Sequence, residues 1–191
     1  MIKLKKIWHQ IRMFTIPSRM KRVQYLKKKG YFRFVGERVM INTFRIPLYS
    51  NLISIGNNVW IASDVTFITH DVIHYMLNGL DKERQYTEKV GCINIEDNVF
   101  IGNGVRIMYG VNIAHHSIIA AGSIVTKDTE ANSIYAGVPA KKISNFDSFF
   151  AKRKQEEIEL QLTVMRNHKS GHVTKEEADF LWKTFFDSRK Q

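Results

Sequence analysis

His70 and Asp71 follow one another in the stretch FITHDVIHY, residues 67–75, with His74 four residues beyond His70. Imidazole has an unperturbed pKa near ~6.5, so it can take a proton near neutral pH, as a general base must. A carboxylate next in sequence, Asp71, can fix the imidazole tautomer through a hydrogen bond or simply cap the loop that follows. The other candidates are the pair His115–His116 and the single Cys92. One cysteine permits no intramolecular disulfide and fits a reducing compartment. Cys92 is expected to be a small apolar filler.

His70 stands where a six-residue rhythm stops. The repeat reads I55-GNNVW and I61-ASDVT. After an interruption it resumes as I95-EDNVF, I101-GNGVR, I107-MYGVN, I113-AHHSI, I119-AAGSI and V125-TKDTE. V35-GERVM and I41-NTFRI read as a degenerate start. An apolar residue at every sixth position fits neither a helix of period 3.6 nor strand alternation. It fits a coil of short strands in which each hexad forms one side. The first residue then points inward, the small fifth residue fills the corner, and Gly or Asn takes the turn. The interruption, residues 72–91, is free to build a pocket over His70.

The flanks differ from the coil. Residues 1–38 hold twelve Lys or Arg against one acid, Glu37, whereas the remainder balances at 17 of each sign. The net charge of +11 therefore lies in the first fifth of the chain. That distribution argues against nucleic acid binding by the coil, which would need basic residues across its face. Leu4, Ile7, Ile11 and Phe14, with Trp8 beside them, recur at helical spacing among the cations. Such a helix suits an anionic membrane surface, or else packing on its own domain or a neighbouring subunit. Residues 152–168 are strong helix formers, and Thr174 with Glu177 forms a capping-box pattern before ADFLWKTFF. The expected division is a basic helical arm at 1–34, the coil at 35–146 and a helical extension at 147–191. No run reaches the ~18 apolar residues of a membrane span. No apolar signal core precedes a small-residue cleavage site, a pattern expected of a cytoplasmic chain.

The runs IGNNVWIASDVTFITHD, IEDNVFIGNGVRIMYGV, IIAAGSIVTKD and YAGVPAKKI resemble hexapeptide-repeat acetyltransferases related to the galactoside and maltose O-acetyltransferases. Capsule-, lipopolysaccharide- and antibiotic-modifying enzymes belong to the same group. The resemblance covers roughly residues 35–146, and GSIVTKD…AGVPAK is its most discriminating part. It implies a left-handed parallel β-helix with three hexads per triangular turn, an exception to the usual right-handed crossover. It also implies acetyl-CoA as acyl donor and a homotrimer whose clefts are shared between subunits.

The same resemblance puts His70 at the position of the catalytic base, which would take the proton of an acceptor hydroxyl as it attacks the thioester directly. Asn42 matches an asparagine one coil away that orients a reacting group or the oxyanion. Asn103, Ala121, Thr126 and Lys127 would line the pantetheine and pyrophosphate path. Lys141 and Lys142 would meet the adenosine 3′-phosphate, keeping the charge of the arginine common there without its bidentate fork. Tyr75, Asn78 and Tyr86 of the loop suit contact with a sugar. Zinc-dependent members of the family use three histidines at a subunit interface. His115 and His116 are adjacent at the third and fourth positions of a hexad, where side chains face solvent, so no metal is expected. The expected function is acetyl transfer to a carbohydrate hydroxyl, with a surface-polysaccharide precursor as a candidate acceptor. The alternatives are an acetyltransferase for an antibiotic or a sugar amine, and a non-catalytic β-helix scaffold.

Overall fold

The inward isoleucines build the coil. The computed structural model describes residues 2–190, apart from the side chains of Ile2, Lys3 and Lys5. Met1 and the side chains of Lys3 and Lys5, all part of the expected basic arm, thus lie outside the described residues. The chain divides after Phe146 into two compact units.

The first unit opens with α1 (Ile2–Phe14) and α2 (Arg19–Lys28), the latter capped by the Ser18 hydroxyl, which accepts from the Lys21 N–H. The first coil follows as β1 (Phe34–Val35) and β2 (Met40–Ile41). The second is β3 (Ile53–Ile55), β4 (Trp60–Ile61) and β5 (Thr66–Ile68). The short helix α3 (Ile73–Leu80) lies in the interruption. The third coil is β6 (Ile93–Ile95), β7 (Phe100–Ile101) and β8 (Arg106–Met108), and the fourth is β9 (Val111–Ile113), β10 (Ser117–Ile119) and β11 (Ile124–Val125). A last strand pair, β12 (Ser133–Ala136) and antiparallel β13 (Lys141–Asn145), closes the unit.

Three parallel sheets form the sides: β1-β3-β6-β9, β2-β4-β7-β10-β12 and β5-β8-β11. The architecture is therefore a three-sided parallel β-helix. Its registers follow the hexads, with Ile55 over Ile95 over Ile113 on one side and Ile61 over Ile101 over Ile119 on the next. These isoleucines are all buried, each contributing roughly 1.5–3 kcal/mol of transfer free energy. The fifth-position Val59, Val65, Val99 and Val105 are buried as well, and Ser117 and Ser123 take the same place, also buried.

One corner is a ladder. Asn58, Asn98, His116 and Asn132 each have φ between 53° and 58°, the left-handed region that asparagine tolerates better than most residues. The Asn58 amide donates to Asn98 Oδ1 at 2.8 Å, and the Asn98 amide lies 3.2 Å from His116 Nε2. His116 is thus the rung of a structural ladder and half-buried rather than solvent-facing. His115 is exposed and pairs with Glu96 at 3.0 Å. Adjacent coils approach so closely at Gly102 that an added Cβ would lie 2.5 Å from the Ala121 nitrogen.

Cys92 departs from expectation: it is exposed. Its position precedes β6, where the chain re-enters the coil and the side chain points outward. α4 (Phe146–Gln161), all but its first residue in the second unit, starts earlier and ends sooner than the expected 152–168. The Thr163 hydroxyl donates to the Leu160 carbonyl and accepts from the Met165 N–H, turning the chain into a 3-10 segment at Val164–Asn167. The capping box forms as read, with Thr174 and Glu177 exchanging side-chain and backbone bonds at the start of α5 (Lys175–Asp187).

Because Ile101 sits at the middle of a fully buried stack, Ile101→Ala should destabilise the protein by about 2–5 kcal/mol. Denaturant unfolding would register this as a lower midpoint, while a surface change such as Ser54→Ala would leave it near wild type.

Candidate active site

The step between stacked inner residues is 18 residues from Ile95 to Ile113, but 40 from Ile55 to Ile95. The excess of 22 residues leaves the coil after β5 and is pinched where it leaves. The Gly91 N–H donates to the Thr69 carbonyl at 2.9 Å and the Asp71 N–H to the Lys89 carbonyl at 3.0 Å, so His70 faces Val90 across an antiparallel bridge. The Thr69 hydroxyl in turn donates to the Leu48 carbonyl at 2.7 Å, tying this neck to the preceding coil. His70 therefore stands at the base of the excursion.

Two residues not singled out by the repeat surround it. The Tyr49 ring meets His70 edge-on with centroids 5.3 Å apart, and the Tyr49 hydroxyl donates to Glu88 Oε2 at 2.8 Å. The other carboxylate oxygen, Glu88 Oε1, lies 4.0 Å from His70 Nε2. The bond to Glu88 pushes the Tyr49 phenol above its ordinary range, since loss of its proton would set two anions against each other. His70 Nδ1 is buried with no hydrogen-bond partner. Nε2 is thus the atom able to meet an acceptor, and a carboxylate is positioned to stabilise the imidazolium that proton uptake would create. A hint lay in the sequence, since Glu88 stands near the end of the interruption, shortly before the hexads resume. Tyr49 carried none.

Asp71 is engaged elsewhere. Its Oδ2 accepts from the Tyr109 hydroxyl at 2.6 Å, and Oδ1 accepts from the Ile73 N–H at 3.1 Å, opening α3. The Tyr109 bond, chiefly, holds the Asp71 carboxyl below its ordinary range. Gly91 packs so close to Tyr109 that a Cβ would stand 3.1 Å from the tyrosine Cβ, which makes Tyr109 a buttress of the neck. Asn78 and Tyr86 are likewise spent within the loop: the Asn78 amide both donates to and accepts from the Tyr86 backbone, and the Tyr86 hydroxyl donates to Asp81. Tyr75 alone of the three expected sugar contacts is exposed.

Asn42 lies at the other end of the third side, where its amide donates to the Ser63 hydroxyl. It lines a 640 Å³ cleft with Phe44, Arg45, Asp64, Thr66 and Phe67. Neither His70 nor any of the six residues expected to hold acetyl-CoA borders that cleft. Those six are exposed on the later coils. Asn103 and Ala121 share one corner, where the Gly122 N–H donates to the Asn103 carbonyl at 2.8 Å. Thr126 and Lys127 follow β11, and Lys141 and Lys142 begin β13. Lys142 is paired with Glu130 at 2.7 Å, a bond that raises its pKa, whereas Lys127 and Lys141 point to solvent. Among the described residues, no three His, Cys, Asp or Glu side chains gather in a way that could hold a metal ion.

The described residues form a coil of hexads with a histidine at the neck of an insertion. The chain is 35% identical over 133 residues to the galactoside O-acetyltransferase of Lactococcus lactis, covering 64% of this chain and 62% of that protein. In fold it is similar to a hexapeptide-repeat acetyltransferase of Vibrio cholerae, with TM-score 0.61 and 21% identity over 74% of this chain and 89% of that one. It is also similar to a galactoside acetyltransferase solved in complex with coenzyme A, with TM-score 0.55 and 28% identity over 78% and 84% of the two chains. These matches are similarities in sequence and fold to acetyltransferases, a galactoside O-acetyltransferase among them. The chain spans about half the length of the curated relatives it matches. No model of a protein family matches it.

The neck has a testable pH dependence. Because the folded Asp71 carboxyl titrates below its ordinary value, its bond to Tyr109 supports the neck at higher pH and is lost as pH falls through that lowered value. Tyr109→Phe removes this bond at every pH, so amide exchange of residues 72–91 should be faster than in the wild type at neutral pH, and the wild type should approach the variant as pH falls.

Proposed function

We propose that the protein is an acetyl-CoA-dependent O-acetyltransferase for a carbohydrate hydroxyl, working as a homotrimer on a left-handed coil. The observation that carries this reading is the grouping of His70, Glu88 and Tyr49 at the neck of the insertion, together with the galactoside acetyltransferase relatives. The donor supplies an acetyl thioester. His70 Nε2 takes the proton of the acceptor hydroxyl as its oxygen bonds to the acetyl carbon, and later returns that proton to the departing thiolate. The Glu88 carboxylate stabilises the imidazolium in between, and the Tyr49 hydroxyl keeps that carboxylate in place. Glu88 and Tyr49 are positioning residues in this scheme. Asp71, bonded to Tyr109 and Ile73, anchors the loop rather than the imidazole.

In this reading the donor lies along the exposed corner of Asn103 and Ala121, past Thr126 and Lys127. Lys127 and Lys141 suit its phosphates, and Lys142 would first have to leave Glu130. Among the described residues, His70 does not border the cleft that Asn42 lines. A trimer resolves this by letting a neighbouring copy bring its Asn42 or its donor groove to His70. An acceptor could be selected by the exposed face of α3, where Tyr75 remains available.

Thiol release from acetyl-CoA, measured with a panel of sugars, amino sugars and antibiotics, tests the assignment. His70→Ala should lower turnover by about 10²–10⁴-fold while leaving the fold intact. Undiminished turnover would remove His70 from the mechanism, and failure to bind acetyl-CoA would favour the scaffold. Glu88→Gln and Tyr49→Phe should each lower kcat by about tenfold, near 1.4 kcal/mol of barrier, with KM for acetyl-CoA unchanged. A rise in KM alone would assign the pair to binding instead.

A further inference from the structure

Helix α1 has two apolar faces, and only one is used. At 3.6 residues per turn, Leu4, Ile7, Trp8 and Ile11 share one side, while His9 and Met13 occupy the opposite one. Met13 and His9 are buried, and the His9 ring contacts Tyr25 and Tyr31. The inner face thus seats the helix on its own unit. The outer row stays open to solvent: Leu4 is 74% exposed, Ile7 53%, Trp8 58% and Ile11 60%. A row of this size is not needed for folding and is costly to leave in water.

Charge identifies the occupant. No acidic residue occurs before Glu37, and the exposed cations Arg12, Arg19 and Lys21 lie on α1 and at the start of α2. Beyond residue 38 the chain carries equal numbers of bases and acids, so a second copy offers no acidic excess to meet this arm. A rotationally symmetric contact through the arm itself would set like charges against each other. An anionic lipid surface answers both features, since acyl chains accept the apolar row and headgroups meet the cations. Among the described residues no helix is long and apolar enough to cross a membrane, so the contact would be peripheral.

We propose that α1 docks its Leu4–Ile7–Trp8–Ile11 face on an anionic phospholipid bilayer, with the cations of α1 and α2 at the headgroups. This inference does not rest on the acetyl-transfer reading. Its test is sedimentation of the full chain with vesicles of phosphatidylcholine alone or mixed with phosphatidylglycerol, alongside the mass in solution by light scattering. The wild type should pellet with the mixed vesicles only, and less so as salt rises. Trp8→Glu with Ile11→Glu leaves the inner face intact and should weaken binding by about tenfold or more at unchanged mass. Arg19→Glu with Lys21→Glu should weaken it roughly fivefold per cation removed. Absence of wild-type binding, equal binding to neutral vesicles, or undiminished binding by the first variant would overturn the proposal. A changed mass of that variant would also overturn it and assign the row to a second copy. Thiol release in free solution should be the same for all of these variants, which keeps this test separate from that of the active site.

Discussion

Closure of the coil is the constraint on which the first unit depends. Each side must end on an inward residue of nearly constant size, because the next coil sets its own inner residue directly upon it. Ile55, Ile95 and Ile113 satisfy this on one side, and Ile61, Ile101 and Ile119 on the next. A larger residue would hold the coils apart, and a smaller one would leave a void that close-packed neighbours cannot fill. The corner chemistry follows from the same requirement. Only residues that tolerate a left-handed backbone can turn the chain there, hence Asn58, Asn98, His116 and Asn132 in register.

Such a stack tolerates an insertion only if the chain leaves and re-enters without shifting the register. The neck meets that condition through backbone bonds between Thr69 and Gly91 and between Asp71 and Lys89, which bring the two ends of the excursion together. The same neck explains where chemistry can occur. A histidine within a continuous side would be either walled into the core or exposed on a flat surface. At the neck, one edge of the His70 ring is buried and the other faces Glu88, on the returning strand of the excursion. Register and the reactivity proposed for His70 would thus be met by one piece of backbone.

This division also accounts for what the sequence disclosed. The sides, the inward residues and the placement of His70 were legible because each depends on local spacing. The partners of His70 were not, because Tyr49 and Glu88 are 21 and 18 residues away from it and meet only once the neck has closed. Asn78 and Tyr86 looked like sugar contacts because amides and phenols commonly serve that purpose, yet in this loop the Asn78 amide binds the Tyr86 backbone and the Tyr86 hydroxyl donates to Asp81. Cys92 looked like core filler from its size alone, although re-entry into the coil turns it outward. His116 was read as solvent-facing from its hexad position, and the asparagine ladder gives it a structural partner instead. In each case residue type indicated a capacity, and long-range geometry determined whether it was used.

The excursion is held to the coil by two carboxylates. Glu88 is held by Tyr49, which belongs to the first coil's return, while Asp71 is held by Tyr109, which belongs to the third coil. The excursion is therefore clamped from the coil before it and the coil after it, by two phenol–carboxylate bonds on either side of His70. Each bond shifts its tyrosine away from ionisation, so both clamps persist through the neutral range in which an imidazole base operates. Breaking the Tyr109 clamp would release the loop while leaving Glu88 facing the imidazole; breaking the Tyr49 clamp would release Glu88 while leaving the neck closed. In the proposed mechanism the two clamps would thus separate acceptor enclosure from proton handling. Acceptor preference could then vary along the outer part of the excursion, between the clamps, without disturbing the geometry at His70.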